Sequence, residues 1–159
     1  MPRTDRAARL VPAPPDTVYA ALVDRAALET WLPPAGMRGH IEHWDPRPGG
    51  GFRMTLTYLD ATDDPGKTSD ATDVVDVSFT ALVPPEQVVQ QAVFTSDDPV
   101  YAGTMTMTWD LAPAPEGTRV TVTATDVPPG IGQADHEAGI ASSLAQLEAY
   151  VATRRQPFA

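Results

Sequence analysis

The stretch GTMTMTWDLAPAPEGTRVTVTATD, residues 103–126, carries the clearest structural pattern in the chain. Its first half alternates strictly, so that Met105, Met107 and Trp109 fall on one face and threonines on the other. Such alternation is typical of an antiparallel strand with one face buried and the other facing water. The second half alternates in the same way after PAPEG, which has the composition of a turn. The stretch therefore predicts a β-hairpin.

Other segments upstream of this hairpin also have the two-residue period of a strand. Two of them flank a corner rich in proline and glycine, and two more follow an acidic loop. The predicted strands are residues 6–13, 37–44, 51–60, 73–83 and 86–94. Together with the hairpin they predict an antiparallel sheet of about six to seven strands.

Two short helices are predicted between the first and second strands. The prolines before DTVYAALVD suit the first turn of a helix, because that turn does not need their missing N–H groups. Asp24 is a candidate N-cap for the helix RAALETW, residues 25–31. Pro33 and Pro34 end this second helix, since the residue before a proline is pushed out of helical backbone space.

The C-terminal part of the chain has the period of one long helix. Ile140, Leu144, Leu147 and Val151 recur at intervals of four, three and four, which places them on one apolar stripe. A helix of about 22 residues is roughly 33 Å long, enough to cross a sheet. Segregated strands and helices predict an α+β fold, in which a curved antiparallel sheet surrounds this helix.

Composition limits the classes of function. A chain of 159 residues fits one domain, 1–159, and the absence of cysteine excludes disulfides, thiolate zinc sites and cysteine nucleophiles. The net charge of −10 argues against nucleic-acid partners and anionic membranes, because phosphate contacts need a basic face. No apolar run fits a signal peptide or a membrane span, so we expect a cytoplasmic protein with no membrane insertion.

The corner HWDPRPGGGFRM, residues 43–54, raises the question of a phosphate-binding loop. Such a loop would lead into a helix and be followed by Lys and Ser or Thr, whereas here a strand follows. We therefore predict a tight turn at the mouth of the fold, with glycines supplying positive φ angles. Asp45 and Arg47 are expected to pair within it, and a ligand contact by Arg47 is the alternative.

No spacing in the sequence indicates a metal, a cofactor or a catalytic triad. His40 and His43 are three apart in a predicted strand, so they should face opposite sides. The acidic loop 60–73 lacks the D-x-D-x-D-G spacing of a calcium loop. Ser142 and Ser143 have no nucleophile-elbow glycines around them. We assign no catalytic residue, cofactor or metal site.

Several motifs, in order along nearly the whole chain, resemble one known family. They are APPDTVYAAL (13–22), Trp31 with PPAG (33–36), DPRPGGGF (45–52), LVPPEQVV (82–89), GTRVTVT (117–123) and GIASSLAQLEAYV (139–151). On these motifs the chain resembles the SRPBCC (START-like) superfamily, and within it the heat-shock-protein-90 ATPase activator-like family. It departs from the family in having Ile140 where Trp is common, and in its longer, more acidic loop 60–73. The resemblance implies a helix-grip fold with a cavity between the sheet and the last helix.

Apolar side chains on the predicted strands are the candidates for lining such a cavity. Methionine suits an adaptable cavity because it repacks around varied shapes. Most of these residues could equally form ordinary core. The candidate ligand-binding residues are Trp31, Met37, His40, Trp44, Phe52, Met54, Tyr58, Met105, Met107 and Trp109.

Three functions fit this sequence. The favoured one is binding of a small hydrophobic molecule (lipid-, isoprenoid- or polyketide-like) in the cavity. The second is a cyclase, aromatase or dehydratase working there, which would need an acid or base with a shifted pKa. Its candidates are His40, Glu42, Tyr58 and Asp76. The third, implied by the family name, is a module that binds a chaperone and stimulates its ATPase; the sequence also leaves a homodimer open.

Overall fold

A computed structural model of the chain describes residues 3–33, 36–59, 72–96 and 98–154. Pro34 and most of the acidic loop 60–73 lie outside these residues. The strands are β1 Thr4–Val11, β2 Met37–Asp45, β3 Gly51–Tyr58, β4 Thr72–Val83, β5 Gln87–Phe94, β6 Met105–Ala114 and β7 Gly117–Thr125. The helices are α1 Pro15–Leu22, α2 Arg25–Trp31 and α3 Gln133–Arg154. These elements confirm the predicted α+β helix-grip fold.

The seven strands form one antiparallel sheet in the order β1-β7-β6-β5-β4-β3-β2. The hairpin predicted from residues 103–126 is formed by β6 and β7. These strands pair without a register shift from Thr106 opposite Thr125 to Ala114 opposite Gly117. β1 pairs with β7 along its whole length, so the first strand of the chain lies beside the last strand, at one edge of the sheet.

The long helix α3 packs on β1 and on α2. Its predicted apolar stripe is buried, with Ile140 6% exposed and the other three residues fully buried. Ser143 Oγ donates a hydrogen bond of 2.6 Å to the carbonyl of Leu32, beyond the end of α2. On the other side, Arg9 Nε lies 2.5 Å from Glu148 Oε1. These contacts hold α3 at the β1 side of the sheet and leave the middle strands open beneath its first turns.

Large side chains fill the space at one end of the sheet. Trp44, Phe52 and Phe79 form an aromatic cluster with ring centroids 5.4 to 6.1 Å apart. Such separations suit tilted and edge-to-face contacts. Trp31 and Ile41 are buried nearby in the same core. This end is therefore closed by packed side chains.

The corner between β2 and β3 is a tight turn, as the sequence predicts. Arg47 Nε donates to both carboxylate oxygens of Asp45 at 2.9 Å, which confirms the local pair. Gly49 has a φ of +87°. A Cβ on Gly51 would lie 2.0 Å from the carbonyl oxygen of Val77, so only glycine allows this close approach of β3 to β4. No helix follows, in keeping with the argument against a phosphate loop.

Three local features differ from or add to the expectations. Asp24 occupies the N-cap position of α2, but its side chain makes no capping hydrogen bond in the described structure. A bulge between Glu42 and Asp45, where His43 has a φ of +58°, breaks the regular alternation of β2. A short 3-10 turn at Pro99–Tyr101 was not predicted. Among the described helices, none is long and apolar enough to cross a membrane.

Candidate functional site

A cavity of about 820 Å³ lies between the concave face of the sheet and α3. Inward-facing residues of β3 to β6 form one wall, and the first three turns of α3 form the other. Its apolar lining includes Leu32, Leu56, Val75, Val77, Ala92, Phe94, Ile131 and Ile140 in addition to residues predicted from the sequence.

Seven of the ten candidate ligand-binding residues line this cavity. Strand alternation explains the grouping of six of them, because every second residue of β3 and of β6 faces inward, and the seventh begins β2. The seven are Met37, Phe52, Met54, Tyr58, Met105, Met107 and Trp109.

The structure places the other three candidates elsewhere. Trp31 is buried in the core, 1% exposed, where its Nε1 donates a hydrogen bond of 3.0 Å to the carbonyl of Ala21. Trp44 is part of the aromatic cluster, with its ring against those of Phe52 and Phe79. The side chain of His40 is 63% exposed, because its neighbours on β2 face inward and His40 itself lies on the outer face of the sheet. Its Nδ1 lies 3.5 Å from Glu29 Oε2. These three do not line the cavity.

The lining residues are most exposed at the end of the sheet where β3 ends and α3 begins, and this end is called the mouth of the cavity. Deep in the cavity, Phe52, Gln90 and Trp109 are 3 to 7% exposed, whereas Leu59 at the other end is 60% exposed. The corner between β2 and β3 is at the opposite end of β3 from Leu59. The prediction that this corner lies at the mouth is therefore wrong, because the aromatic cluster closes that end.

Three of the four candidate catalytic residues are on the outer face of the sheet. His40, Glu42 and Asp76 do not line the cavity, and only Tyr58 does. Arg53 Nε donates to Asp76 Oδ1 at 2.8 Å, and this hydrogen bond and charge, together with Glu42, raise the pKa of Arg53. A smaller depression of about 440 Å³ lies around this pair. Because its polar groups already bind each other at the surface, the larger cavity is the better candidate site.

Polar groups inside the cavity come in bonded pairs. Tyr58 Oη donates to Asp73 Oδ2 at 3.2 Å, and Asp73 is only 2% exposed. Trp109 Nε1 donates to Gln90 Oε1 at 3.1 Å. The sequence interpretation missed Asp73 and Gln90. The signal was present, since each is a polar residue at an inward position of an otherwise apolar strand face.

A third polar group, at the mouth, joins residues far apart in the sequence. Asp5 on β1 is fully buried, and His136 Nδ1 in the first turn of α3 lies 2.7 Å from its Oδ2. Arg3 Nε donates to the other carboxylate oxygen at 2.9 Å. Burial raises the pKa of Asp5, but the hydrogen bonds and charges of Arg3 and His136 outweigh burial and hold that pKa below its ordinary value. No local pattern could reveal a pair separated by 131 residues.

The described residues contain no group of three or more His, Asp or Glu side chains that could hold a metal ion.

Known proteins with the same fold are numerous among solved structures. Protein CV1439 from Chromobacterium violaceum is 31% identical, with a TM-score of 0.82 over 93% of this chain and 96% of that one. A protein from Arthrobacter aurescens is 19% identical, with a TM-score of 0.78 over 94% and 86% of the two chains. DynU16, from the dynemicin biosynthetic locus, is 23% identical with a TM-score of 0.67; this chain covers 48% of its length.

No curated protein sequence matches the chain. The family model described as "Activator of Hsp90 ATPase homolog 1-like protein" matches residues 12–152, which is nearly all of the described fold. This chain therefore belongs to the activator of Hsp90 ATPase homolog 1-like family of the SRPBCC superfamily.

Proposed function

We propose that the chain binds a small hydrophobic molecule in the cavity between the sheet and α3. The observation that carries this proposal is the size and lining of that cavity. Its volume of about 820 Å³ falls within the range of roughly 300–1,000 Å³ that small-molecule sites occupy. Met54, Met105 and Met107 give its wall side chains that adjust to the shape of a ligand.

The arrangement of polar groups favours a largely apolar ligand with few hydrogen-bonding groups. Deep in the cavity, Gln90 and Trp109 already bond to each other, so a ligand there meets mainly apolar surface. Polar and charged side chains gather at the mouth, where Asp135 and His136 begin α3. A molecule with an apolar body and one polar end fits this distribution.

An enzyme using the same cavity is the second candidate, and one observation favours it. The Asp5–His136 pair has the geometry in which a buried carboxylate orients an imidazole, which is a common arrangement for a general base. The structural likeness to DynU16, a protein of a biosynthetic locus, is compatible with this second function. Chaperone ATPase stimulation has only the family name in its favour.

Native mass spectrometry of the gently purified protein tests the proposal. We expect an adduct of a few hundred daltons that organic extraction releases, which identifies the ligand class. The bare protein mass, combined with failure of a neutral apolar probe such as N-phenyl-1-naphthylamine to bind, would contradict ligand binding. Turnover of an extracted molecule would favour the enzyme over the carrier.

A further inference from the structure

The Asp5–His136 pair fixes which nitrogen of the histidine carries the proton. An ionised carboxylate only accepts hydrogen bonds, so the nitrogen that faces it must be protonated. Here that nitrogen is His136 Nδ1, 2.7 Å from Asp5 Oδ2. Arg3 contacts both oxygens of the same carboxylate at 2.9 Å and keeps it in place. In the neutral imidazole, the lone pair is therefore on Nε2.

The opposite edge of the ring is the part of His136 that faces the cavity. His136 lines the cavity and its side chain is 14% exposed, while its Nδ1 edge is turned toward the fully buried Asp5. The hydrogen bonds of this side chain to described residues go only to Asp5, through Nδ1. In the described structure, every buried side-chain nitrogen or oxygen has a hydrogen-bond partner. Because Nε2 of His136 has no such partner among the described residues, it is not buried and a ligand can reach it. It presents an oriented acceptor at the mouth of an apolar cavity.

The charge around the mouth limits what this acceptor can bind. Asp73 and Asp135 also line the cavity, and the chain carries a net charge of −10. A ligand carboxylate or phosphate would meet like charges there, which disfavours anionic ligands. A neutral hydroxyl avoids this repulsion, and an acidic one, as on a phenol or enol, makes the stronger hydrogen bond to nitrogen.

We propose that Nε2 of His136, oriented by Asp5, accepts a hydrogen bond from a phenolic or enolic hydroxyl group of the ligand. The ligand class is then an uncharged, largely apolar molecule whose hydroxyl lies at the mouth and whose body lies against the methionines. This inference rests on the proposed function and adds the position and type of the polar group. A structural role, in which the pair only holds α3 to β1, predicts no preference among ligands.

Two probes that differ in one hydrogen-bond donor test this inference. 2-Naphthol carries the hydroxyl, whereas 2-methoxynaphthalene keeps the rings and the oxygen but cannot donate. In calorimetric titrations of the full chain we expect about a five- to tenfold preference for 2-naphthol, as one hydrogen bond provides. The His136→Phe variant should lose this preference. The matched control His40→Phe, on the outer face, should retain it.

A measurement on the unmodified protein covers the case in which His136→Phe fails to fold. With ¹⁵N-labelled histidine, NMR observes Nε2 of His136 directly, and 2-naphthol but not its methyl ether should shift that resonance. The resonances of His40 should stay unchanged. Equal binding of both probes with no shift at Nε2 would overturn this inference and leave the proposed function intact. Binding of neither probe would overturn both.

Discussion

The rings of Trp31 and Trp109 meet edge to face with centroids 5.7 Å apart, and of the two only Trp109 lines the cavity. Trp31 stands behind it in the core, where its Nε1 binds the carbonyl of Ala21. Trp109 Nε1 binds Gln90 on the neighbouring strand. The indole of Trp109 therefore contacts the Trp31 ring on its core side and donates a hydrogen bond to Gln90 on the neighbouring strand. It forms the boundary between the cavity and the core.

Replacing Trp31 should weaken the fold and leave the cavity in place. Trp31→Phe removes the donor to Ala21 and leaves that buried carbonyl unpaired. We expect the free energy of unfolding to fall by about 1–3 kcal/mol, the cost of such a group. Urea denaturation measures this change, and titration with N-phenyl-1-naphthylamine should show a nearly unchanged affinity. Unchanged stability would argue against the hydrogen bond.

Tryptophan fluorescence should report the ligand through Trp109. The chain has three tryptophans, and the other two do not line the cavity. A quenching apolar ligand should therefore change the emission of the wild type and of Trp44→Phe. Trp109→Phe should lose most of the change. If Trp44→Phe loses it instead, the ligand binds at another site.

The two glycines Gly139 and Gly51 should respond oppositely to alanine. A Cβ on Gly139, on the cavity side of α3, meets nothing within 4 Å. Gly139→Ala should therefore raise the free energy of unfolding by about 0.5–1 kcal/mol, the usual gain within a helix. Gly51→Ala should lower it, since the new Cβ would collide with the Val77 carbonyl. Urea titrations compare the two, and destabilisation by Gly139→Ala would contradict the open space.

Asp5 should make stability depend on pH on the acid side. Because its pKa is below the ordinary value of 3.8 in the folded protein, the unfolded chain binds more protons in that range and stability falls with falling pH. The contribution of Asp5 to the free energy of unfolding is fully present above the pKa that Asp5 has in the unfolded chain. It is lost as the pH falls through the lower pKa that Asp5 has in the folded protein. The facing groups are Arg3 and His136, with Glu137 nearby at the Arg6 backbone N–H.

The variant Asp5→Asn isolates this effect. The difference in free energy of unfolding between wild type and Asp5→Asn should be largest near pH 7 and should shrink below about pH 4. Denaturant titrations at pH 7 and at about pH 3 measure it. A difference that is constant over this range would mean that the Asp5 pKa is not lowered in the folded protein.

The sheet could be predicted because a strand with one buried face alternates apolar and polar residues along the sequence. The alternation around Met105 and Trp109 located the hairpin, and the same alternation in β3 identified Phe52 and Met54 as inward residues. Periodicity also located α3 through its apolar stripe. These features depend only on neighbouring residues, which is why a single sequence contains them.

The features that were missed depend on long-range contacts or on backbone irregularity. Whether a large aromatic such as Trp31 fills the core or lines a cavity depends on where α2 packs, which its own residues do not reveal. His40 was placed wrongly because the inward phase of β2 is set by its pairing with β3. The Asp5–His136 contact exists only once β1 passes beneath α3.

The most direct test of ligand binding in the cavity is a fluorescence titration with N-phenyl-1-naphthylamine on a matched pair of leucine variants. Gly139→Leu extends a side chain into the cavity, whereas Ala141→Leu places the same side chain at an exposed position of the same helix. We predict that the wild type and Ala141→Leu bind the probe equally and that Gly139→Leu binds it at least about tenfold more weakly, a difference of about 1.4 kcal/mol. Equal binding by all three proteins, or binding by none, would contradict the assignment of the ligand site to this cavity.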